Sequence, residues 1–369
     1  MRRKDRFLNR VIYLEKRRSA KKRLRKLLAG RKKLFGEEEV TLTDAERKAA
    51  RDMWRPLDPT FDLRWHAFYK QMSGHFDPRY MPEDIWRIGE LTLNPPLMRE
   101  PLQHKVLAYH FLGDMLPTPL GASCNGTLLD NHFQPTTLRE LVDRLMEEDE
   151  FFCKVANATC SGGGRDVHVI CPREMGRERL SEFLSERIPT SKDYIFQKTM
   201  RCAPELARYS TSAVNTMRLI TLNINGRASY LSTFFRVALA DTRVDNVGKG
   251  GMMISIAPDG SMYRYGYNEF FADIFKTSAT GVPIEGEKIP EFEKIKQTCL
   301  DLHARLPYFG FVAWDVTLDE EHNVRLLEFN LDGQDTFEHQ MFNGPFFGDR
   351  TEEVIKYLAE HPVRRFRTF

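Results

Sequence analysis

Glu328 and Asn330 stand two apart in a strand-like segment, so their side chains point to the same face. If FVAWDVTL and NVRLLEFN fold into a hairpin around DEEHN, the pairing that sets Leu318 opposite Arg325 also sets Asp315 opposite Glu328. Two carboxylates and an amide carbonyl then converge. An all-oxygen set of this kind suits Mg²⁺, a hard ion that keeps waters and takes phosphate oxygens as further ligands. The competing reading is three ordinary exposed strand residues, but Asp and Asn are poor strand formers and here they interrupt apolar text.

Lys154 lies just before ANATCSGGGRD. Gly162, Gly163 and Gly164 let backbone N–H groups approach a phosphate closely, and a lysine on the adjoining strand adds charge; the same run can also serve only as a turn. It is not a P-loop, because no Gly-Lys-Ser/Thr opens a helix. Arg218 and Arg236 sit inside apolar strands, where an unpaired guanidinium is costly, so each needs an anion. A structural carboxylate can serve, and so can a phosphate, which arginine binds through two parallel donors. Residues 244–251, VDNVGKGG, form a polar glycine-rich loop that can close over a substrate or simply turn the chain.

These residues need strands to aim them. FFCKV and DVHVI flank the glycine run, and DYIFQK, NTMRLITLNI, ASYLSTFFRVAL, MMISIA and the two segments around Asp315 and Glu328 follow as strands, with Asn225-Gly226 marking a hairpin. Helices are expected over LQHKVLAYHFLGDML, over TTLRELVDRLMEED with Thr136 or Thr137 as its cap, over RERLSEFLSERI, and over PEFEKIKQTCLDLHARL with Pro290 near its start. From Leu42 to Arg99 the text is helical but broken by prolines, with Trp54, Trp65 and Trp86 as core anchors.

With 369 residues, 41% of them hydrophobic, the chain can bury a large core in two or three lobes. No stretch approaches the roughly 18 consecutive apolar residues of a spanning helix, and the start is too basic for a signal peptide. The six cysteines, Cys124, Cys153, Cys160, Cys171, Cys202 and Cys299, form no CxxC pair and read as reduced thiols, which with the lack of a leader points to the cytoplasm. No Cys/His spacing argues for zinc. The net charge of +3 conceals an asymmetry: residues 1–36 hold 16 Lys and Arg against 2 acids, which leaves 39 basic and 50 acidic side chains elsewhere. That stretch reads as a helix carrying Phe7, Val11, Leu14, Leu24, Leu27 and Leu28 and closed by Gly30 and Gly36. Three roles stay open for it: docking on an anionic membrane surface or a protein, a solvated arm, or nucleic-acid contact. The acidic body weighs against nucleic acid.

Taken in order, a lysine in HKVLAYHFLG, Lys154 with its glycine loop, a hinge strand, arginine-bearing strands, and Asp315 with Glu-x-Asn resemble the ATP-grasp superfamily. SAVNTMRLITLN, FFRVA, VDNVGKGG and FVAWDVTL…LLEFNLDG look like its sugar-transfer-associated branch. The resemblance covers roughly residues 95–345. It implies an α+β ATP-grasp fold, two α+β lobes holding ATP between them, behind an N-terminal helical extension. It places an ATP-grasp region over 100–345 divided near 195; outside it the residues themselves read as a basic arm over 1–40, a helical lobe or lid over 41–99, and a C-terminal helix and tail over 346–369. Lys105 and Lys154 would meet phosphates, SGGGRD would be the flap, Gln197, Lys198 and Met200 would line the adenine, and Glu205 would reach the ribose. Asp315, Glu328 and Asn330 take the magnesium positions, and Arg236, with Arg218 beside it, matches the arginine at the transferred phosphoryl group. The chain departs from the family pattern after Asn330, where Leu331-Asp332-Gly333-Gln334-Asp335 replaces a proline-glycine stretch, and at Gln197, where an acid is common.

The activity implied is a Mg-ATP-dependent ligase that joins a small-molecule carboxylate to an amine or hydroxyl through an acyl phosphate, with release of ADP. The branch name points to polysaccharide or glycan assembly, hence to a nucleotide sugar or lipid-linked glycan as acceptor and to a peripheral place at the inner membrane face. The rivals are an ATP-grasp kinase acting on a sugar hydroxyl and a nucleotide-binding module without turnover.

Overall fold

Strand alternation divides the chain's apolar residues between two layers. In the computed structural model, residues 3–37, 40–156, 167–187, 192–210, 214–238 and 251–361 are described. The first sheet is built from β1 (Pro119–Cys124), β2 (Thr127–Leu129), β3 (Phe151–Val155), β4 (Val167–Ile170) and β5 (Tyr194–Lys198), in the order β2-β1-β5-β3-β4. The second contains β6 (Thr216–Ile224), β7 (Arg227–Ala238), β8 (Gly251–Ile256), β9 (Met262–Tyr267), β10 (Ile274–Phe275), β11 (Phe311–Leu318) and β12 (Val324–Asn330), in the order β10-β9-β8-β7-β6-β11-β12. Every neighbouring pair in both is antiparallel.

In the smaller sheet, Leu120, Phe151, Cys153 and Phe196 face helices Leu138–Leu145 and Arg177–Arg187. The first of these helices starts with a reciprocal capping box, in which Thr137 and Glu140 satisfy each other's orphan backbone donors. In the larger sheet, Met217, Leu219, Phe235, Ile254, Trp314 and Val316 pack under helix Phe292–Ala304. The opposite face changes character along each strand. On β6, Ile220, Leu222 and Ile224 meet helices Asp44–Trp54, Glu83–Leu93 and Thr351–Glu360, whereas Arg218 lies past this apolar cover. On β11, Phe311 and Ala313 are covered in the same way, and Asp315 follows.

Most of the expected strands form, and Asn225 and Gly226 turn between β6 and β7 with positive φ of 54° and 73°, the backbone a type I′ hairpin needs. Strands β2, β9 and β10 were not anticipated. The β11–β12 register differs from the one derived from the sequence: Leu318 opposes Val324 and Thr317 opposes Arg325. A bulge between Asp315 and Val316 absorbs the one-residue slip, so Asp315 still opposes Glu328.

The basic N-terminal stretch is a single helix, Arg3–Phe35, about 50 Å long at 1.5 Å per residue. It is not a free arm. Ala20, Leu24 and Leu27 enter a core with Trp65, Tyr69, Phe234 and Phe337. Its inward polar groups find partners too: Tyr13 Oη donates to Asp58 at 2.6 Å, and Arg23 pairs with Glu269 at 2.7 Å. Gly36 closes the helix at a φ of 75°, but Gly30 does not end it; a Cβ on Gly30 would lie 2.0 Å from the Phe270 carbonyl oxygen. Gly30→Ala should therefore destabilise the protein by about 2 kcal/mol in urea unfolding through overpacking, although alanine is the better helix former by ~1 kcal/mol. A stabilised variant would show that the helix is not seated there.

Candidate functional site

The antiparallel registers carry one row of side chains across the larger sheet. Glu328 on β12 opposes Asp315 on β11, Asp315 opposes Arg218 on β6, and Arg218 opposes Phe234 on β7. One step along, Arg236 on β7 opposes Thr216 and Met253. Opposed residues share a face, so Glu328, Asp315, Arg218 and Arg236 gather where the apolar cover ends.

Asp315 is the centre of the group and only 2% exposed. Arg218 grips it with two nitrogens, Nε on Oδ1 and Nη2 on Oδ2, the latter at 2.9 Å. Arg236 Nη2 lies 3.0 Å from Oδ2 and also donates to Thr216 Oγ1 at 2.7 Å. Burial pushes the Asp315 carboxyl upward, but the charges of Arg218 and Arg236 outweigh it and hold the group below the ordinary carboxylate range. Asn330 approaches Asp315 at 3.5 Å, and Glu328, 43% exposed, opens toward solvent. Lys105, first residue of helix Lys105–Leu112, reaches Glu328 at 3.8 Å while its backbone N–H donates to Ala156 at the end of β3, so it touches both sheets.

The donor set of Asp315, Glu328 and Asn330 is all oxygen and fits Mg²⁺. Oδ2 of Asp315 is met by Arg218, Arg236 and Asn330, but the donor to Oδ1 is Arg218 Nε, so that oxygen retains a lone pair for a metal.

Of the other sequence-nominated residues, Lys154, Gln197 and Lys198 lie on the smaller sheet. Lys154 stands on β3 with its ammonium 5.1 Å from the Phe152 ring centre. Gln197 on β5 is 3% exposed; its Nε2 donates to Tyr109 Oη at 2.6 Å, and its Oε1 is a buried acceptor with no partner. A buried orphan acceptor on the strand nominated as hinge fits an N–H donor such as the adenine amino group. Lys198 pairs with Glu148 at 2.8 Å, and Met200 lies two residues past the end of β5. Glu205, on the short helix Pro204–Ala207, is half exposed and meets His322 at 3.2 Å. Gly162, Gly163, Gly164 and the 244–250 loop lie outside the described residues.

Sequence spacing hid two features. His104, Cys124 and Asp193 converge with their ligand atoms within 4.8 Å of one another. Asp193 is already engaged there, by His104 Nε2 at 3.0 Å and the Asn125 N–H at 2.8 Å, and burial together with Asp193 pushes the Cys124 thiol up to about 11. The second is the segment behind the site. Gln334 Oε1 accepts from Arg218 Nη1 at 2.6 Å, and Asp335 pairs with both Arg23 and Arg87. A polar stripe at Glu83, Arg87 and Glu90 on an otherwise apolar helix was the signal available for it.

Two α+β lobes, the larger carrying a charged, oxygen-rich strand row, are the architecture of an ATP-grasp protein. The chain belongs to the sugar-transfer associated ATP-grasp family, which matches residues 127–356. The comparison with curated protein sequences gives no match. Solved structures similar to it include D-alanyl-alanine synthetase A from Vibrio cholerae O1 (11% identity, 70% of this chain and 64% of that one, TM-score 0.39). The ATP-grasp ligase PsnB with a phosphomimetic variant of its minimal precursor, Mg and ADP is 14% identical over 85% of this chain and 74% of that one, at a TM-score of 0.40. Biotin carboxylase from Campylobacter jejuni is 14% identical over 73% of this chain and 48% of that one, at 0.43. The chain thus spans less than two thirds of the first and third of these proteins.

Fully buried Glu90 accepts the Gln334 N–H at 3.1 Å, and burial pushes its carboxyl up to about 7. A raised folded-state value means that its contribution is fully present below the unfolded carboxylate value of about 4.5 and is lost as pH rises through 7. Glu90→Gln removes that loss. The unfolding free energy of the variant minus that of wild type should therefore climb between pH 5 and pH 8 by up to about 3 kcal/mol, read from urea titrations at each pH. A flat difference would show that Glu90 does not titrate in that window.

Proposed function

We propose that this protein is a Mg-ATP-dependent ligase that activates a substrate carboxylate and transfers its acyl group to an amine or hydroxyl. The observation that carries the reading is the strand row itself: Lys105, Arg218 and Arg236 stand against the carboxylates of Asp315 and Glu328. A metal accompanied by phosphate oxygens finds carboxylates for the ion and cations for the phosphates in one place.

In this reading Asp315, Glu328 and Asn330 hold Mg²⁺, which when bound neutralises charge on the phosphate oxygens. The substrate carboxylate oxygen attacks the γ-phosphorus as the bond to the β–γ bridging oxygen breaks, and ADP departs. Arg236 and Arg218 oppose the charge growing on the transferred group, with Lys105 and Lys154 along the phosphates, so the protein's share is positioning and electrostatics. The acceptor nitrogen or oxygen then attacks the acyl carbon, inorganic phosphate leaves, and the acceptor gives up one proton. Gln197 Oε1 would take the adenine amino group, Lys198 and Met200 would flank the base, Gly162, Gly163 and Gly164 would cover the phosphates, and Glu205 would meet the ribose. The family description mentions sugar transfer, and from it we extend the proposal to a sugar-bearing acceptor such as a nucleotide sugar or lipid-linked glycan. Outward-facing Arg18, Lys22 and Arg25, opposite buried Leu24 and Leu27, support docking of the first helix on an anionic membrane surface. No helix among the described residues is long and apolar enough to cross a membrane.

Thermal unfolding with and without Mg-ATP tests this. A ligand at about 100 times its Kd adds ~2.7 kcal/mol, so wild type should melt higher with Mg-ATP and not with Mg²⁺ alone, and Asp315→Asn and Glu328→Gln should each shrink the increment. Absence of any nucleotide-dependent shift in wild type rules the reading out. ADP formation with a phosphorylated sugar and no condensed product would instead make the protein a kinase.

A further inference from the structure

We propose that Gln334 is the positioning residue for Arg218, set in place by the helix Glu83–Leu93 of the N-terminal region; the inference rests on the ligase reading only for what Arg218 does. That helix turns four residues spaced i, i+3, i+4 and i+7 toward one short segment. Trp86 Nε1–H donates to the Gln334 carbonyl at 2.7 Å and Glu90 accepts the Gln334 N–H at 3.1 Å, so the backbone of Gln334 is held on both sides. Arg87 pairs with Asp335, and Glu83 Oε1 accepts from the Thr336 hydroxyl at 2.5 Å and from the Phe337 N–H at 3.0 Å. Arg23, from the first helix, closes on Asp335 from the other direction.

With its backbone fixed, Gln334 has one strong side-chain contact, the acceptance of Arg218 Nη1 at 2.6 Å. Arg218 is then held at three nitrogens, Nε and Nη2 on Asp315 and Nη1 on Gln334. Asp315 alone leaves the fork free to tilt about the carboxylate; the third contact removes that freedom. The chemistry of the third partner matters as well. An amide oxygen orients the guanidinium without neutralising it, so the positive charge stays available to an anion in the cleft, whereas a carboxylate at the same place would cancel it.

Two variants of the full chain separate geometry from charge. Gln334→Met has nearly the same volume and no acceptor; Gln334→Glu keeps the acceptor and adds a negative charge. In ¹⁵N-arginine spectra of the nucleotide-free protein, with the Arg218 signal assigned by Arg218→Lys, Gln334→Met should move and broaden that signal, and Gln334→Glu should leave it narrow. In nucleotide titrations and ADP-release assays, Gln334→Met should bind Mg-ATP within threefold of wild type yet lose 10- to 100-fold in turnover, and Gln334→Glu should bind Mg-ATP at least 10-fold more weakly. An Arg218 signal unchanged in Gln334→Met overturns the proposal whatever the reaction is. So does a Gln334→Met turnover within twofold of wild type. Loss of nucleotide binding in wild type itself would strike the ligase reading and leave the spectra to decide the positioning claim.

Discussion

A carboxylate buried to 2% exposure between two guanidinium groups is the constraint around which this molecule is arranged. Asp315 cannot be covered without compensation, because an isolated ion in such a place costs several kcal/mol, and removing either partner of a buried pair commonly costs about 3–5 kcal/mol. Arg218 and Arg236 supply the compensation, and they can do so only because β6 and β7 run antiparallel beside β11 in a register that brings them to its face. The sheet order β7-β6-β11-β12 is in this sense an electrostatic requirement as well as a packing result. Shifting β6 by one residue would turn Arg218 into the apolar layer beneath helix Phe292–Ala304 and leave Met217 facing Asp315.

The helical region over residues 1–99, which carries none of the nominated site residues, decides where that face is open. Helices Asp44–Trp54 and Glu83–Leu93 cover Ile220, Leu222, Phe311 and Ala313, and helix Arg3–Phe35 joins helix Phe337–Asn343 over Phe234 and Met253. The uncovered remainder is the charged end. The packing of the helical region and the definition of the cleft are therefore one event, and the close approach of Gly30 to Phe270 belongs to the same fit.

Local signals were legible in the sequence wherever periodicity or turn chemistry determined the outcome. The alternation in FVAWDVTL and NVRLLEFN, the Asn225-Gly226 turn and the Thr137 cap each follow from two or three residues. The Asp315–Glu328 pairing was also legible, though for an incomplete reason: it came from an ideal hairpin, whereas the true register is one residue different at the turn and is corrected by a bulge. Bulges depend on the pleat of both strands and leave no mark in the apolar pattern. Strand β9, which alternates tyrosines with arginine and glycine, and the two-residue β10 are partly exposed and lack an apolar run to reveal them. The inward face of the first helix was hidden by composition, because its buried residues Ala20, Leu24 and Leu27 are outnumbered by cations, some of which face inward themselves. The support behind Arg218 shows in the sequence only as polar residues on helix Glu83–Leu93; their partners are not legible, because they lie nearly 250 residues away and no spacing rule links Trp86 to Gln334.

The helical region also sets the charge of the cleft from behind. Arg23, Arg87 and Arg218 converge near Glu83, Glu269, Asp335 and Glu338. Burial, reinforced by Glu269 and Glu83, pushes Glu338 up to about 7, while Arg23 and Arg218 oppose that rise. So many acids gathered behind one arginine would neutralise it if one of them touched it directly. Among the described residues Arg218 donates to one acid, Asp315 of the strand row, and to none of the acids behind it; its third nitrogen donates to the neutral amide of Gln334. The carboxylates spend their charge on Arg23 and Arg87 and on the backbone N–H groups of residues 334–337, which they fix. Negative charge thus shapes the segment, and a neutral group makes the last contact, so the fold anchors Arg218 rigidly while leaving its positive charge facing the cleft.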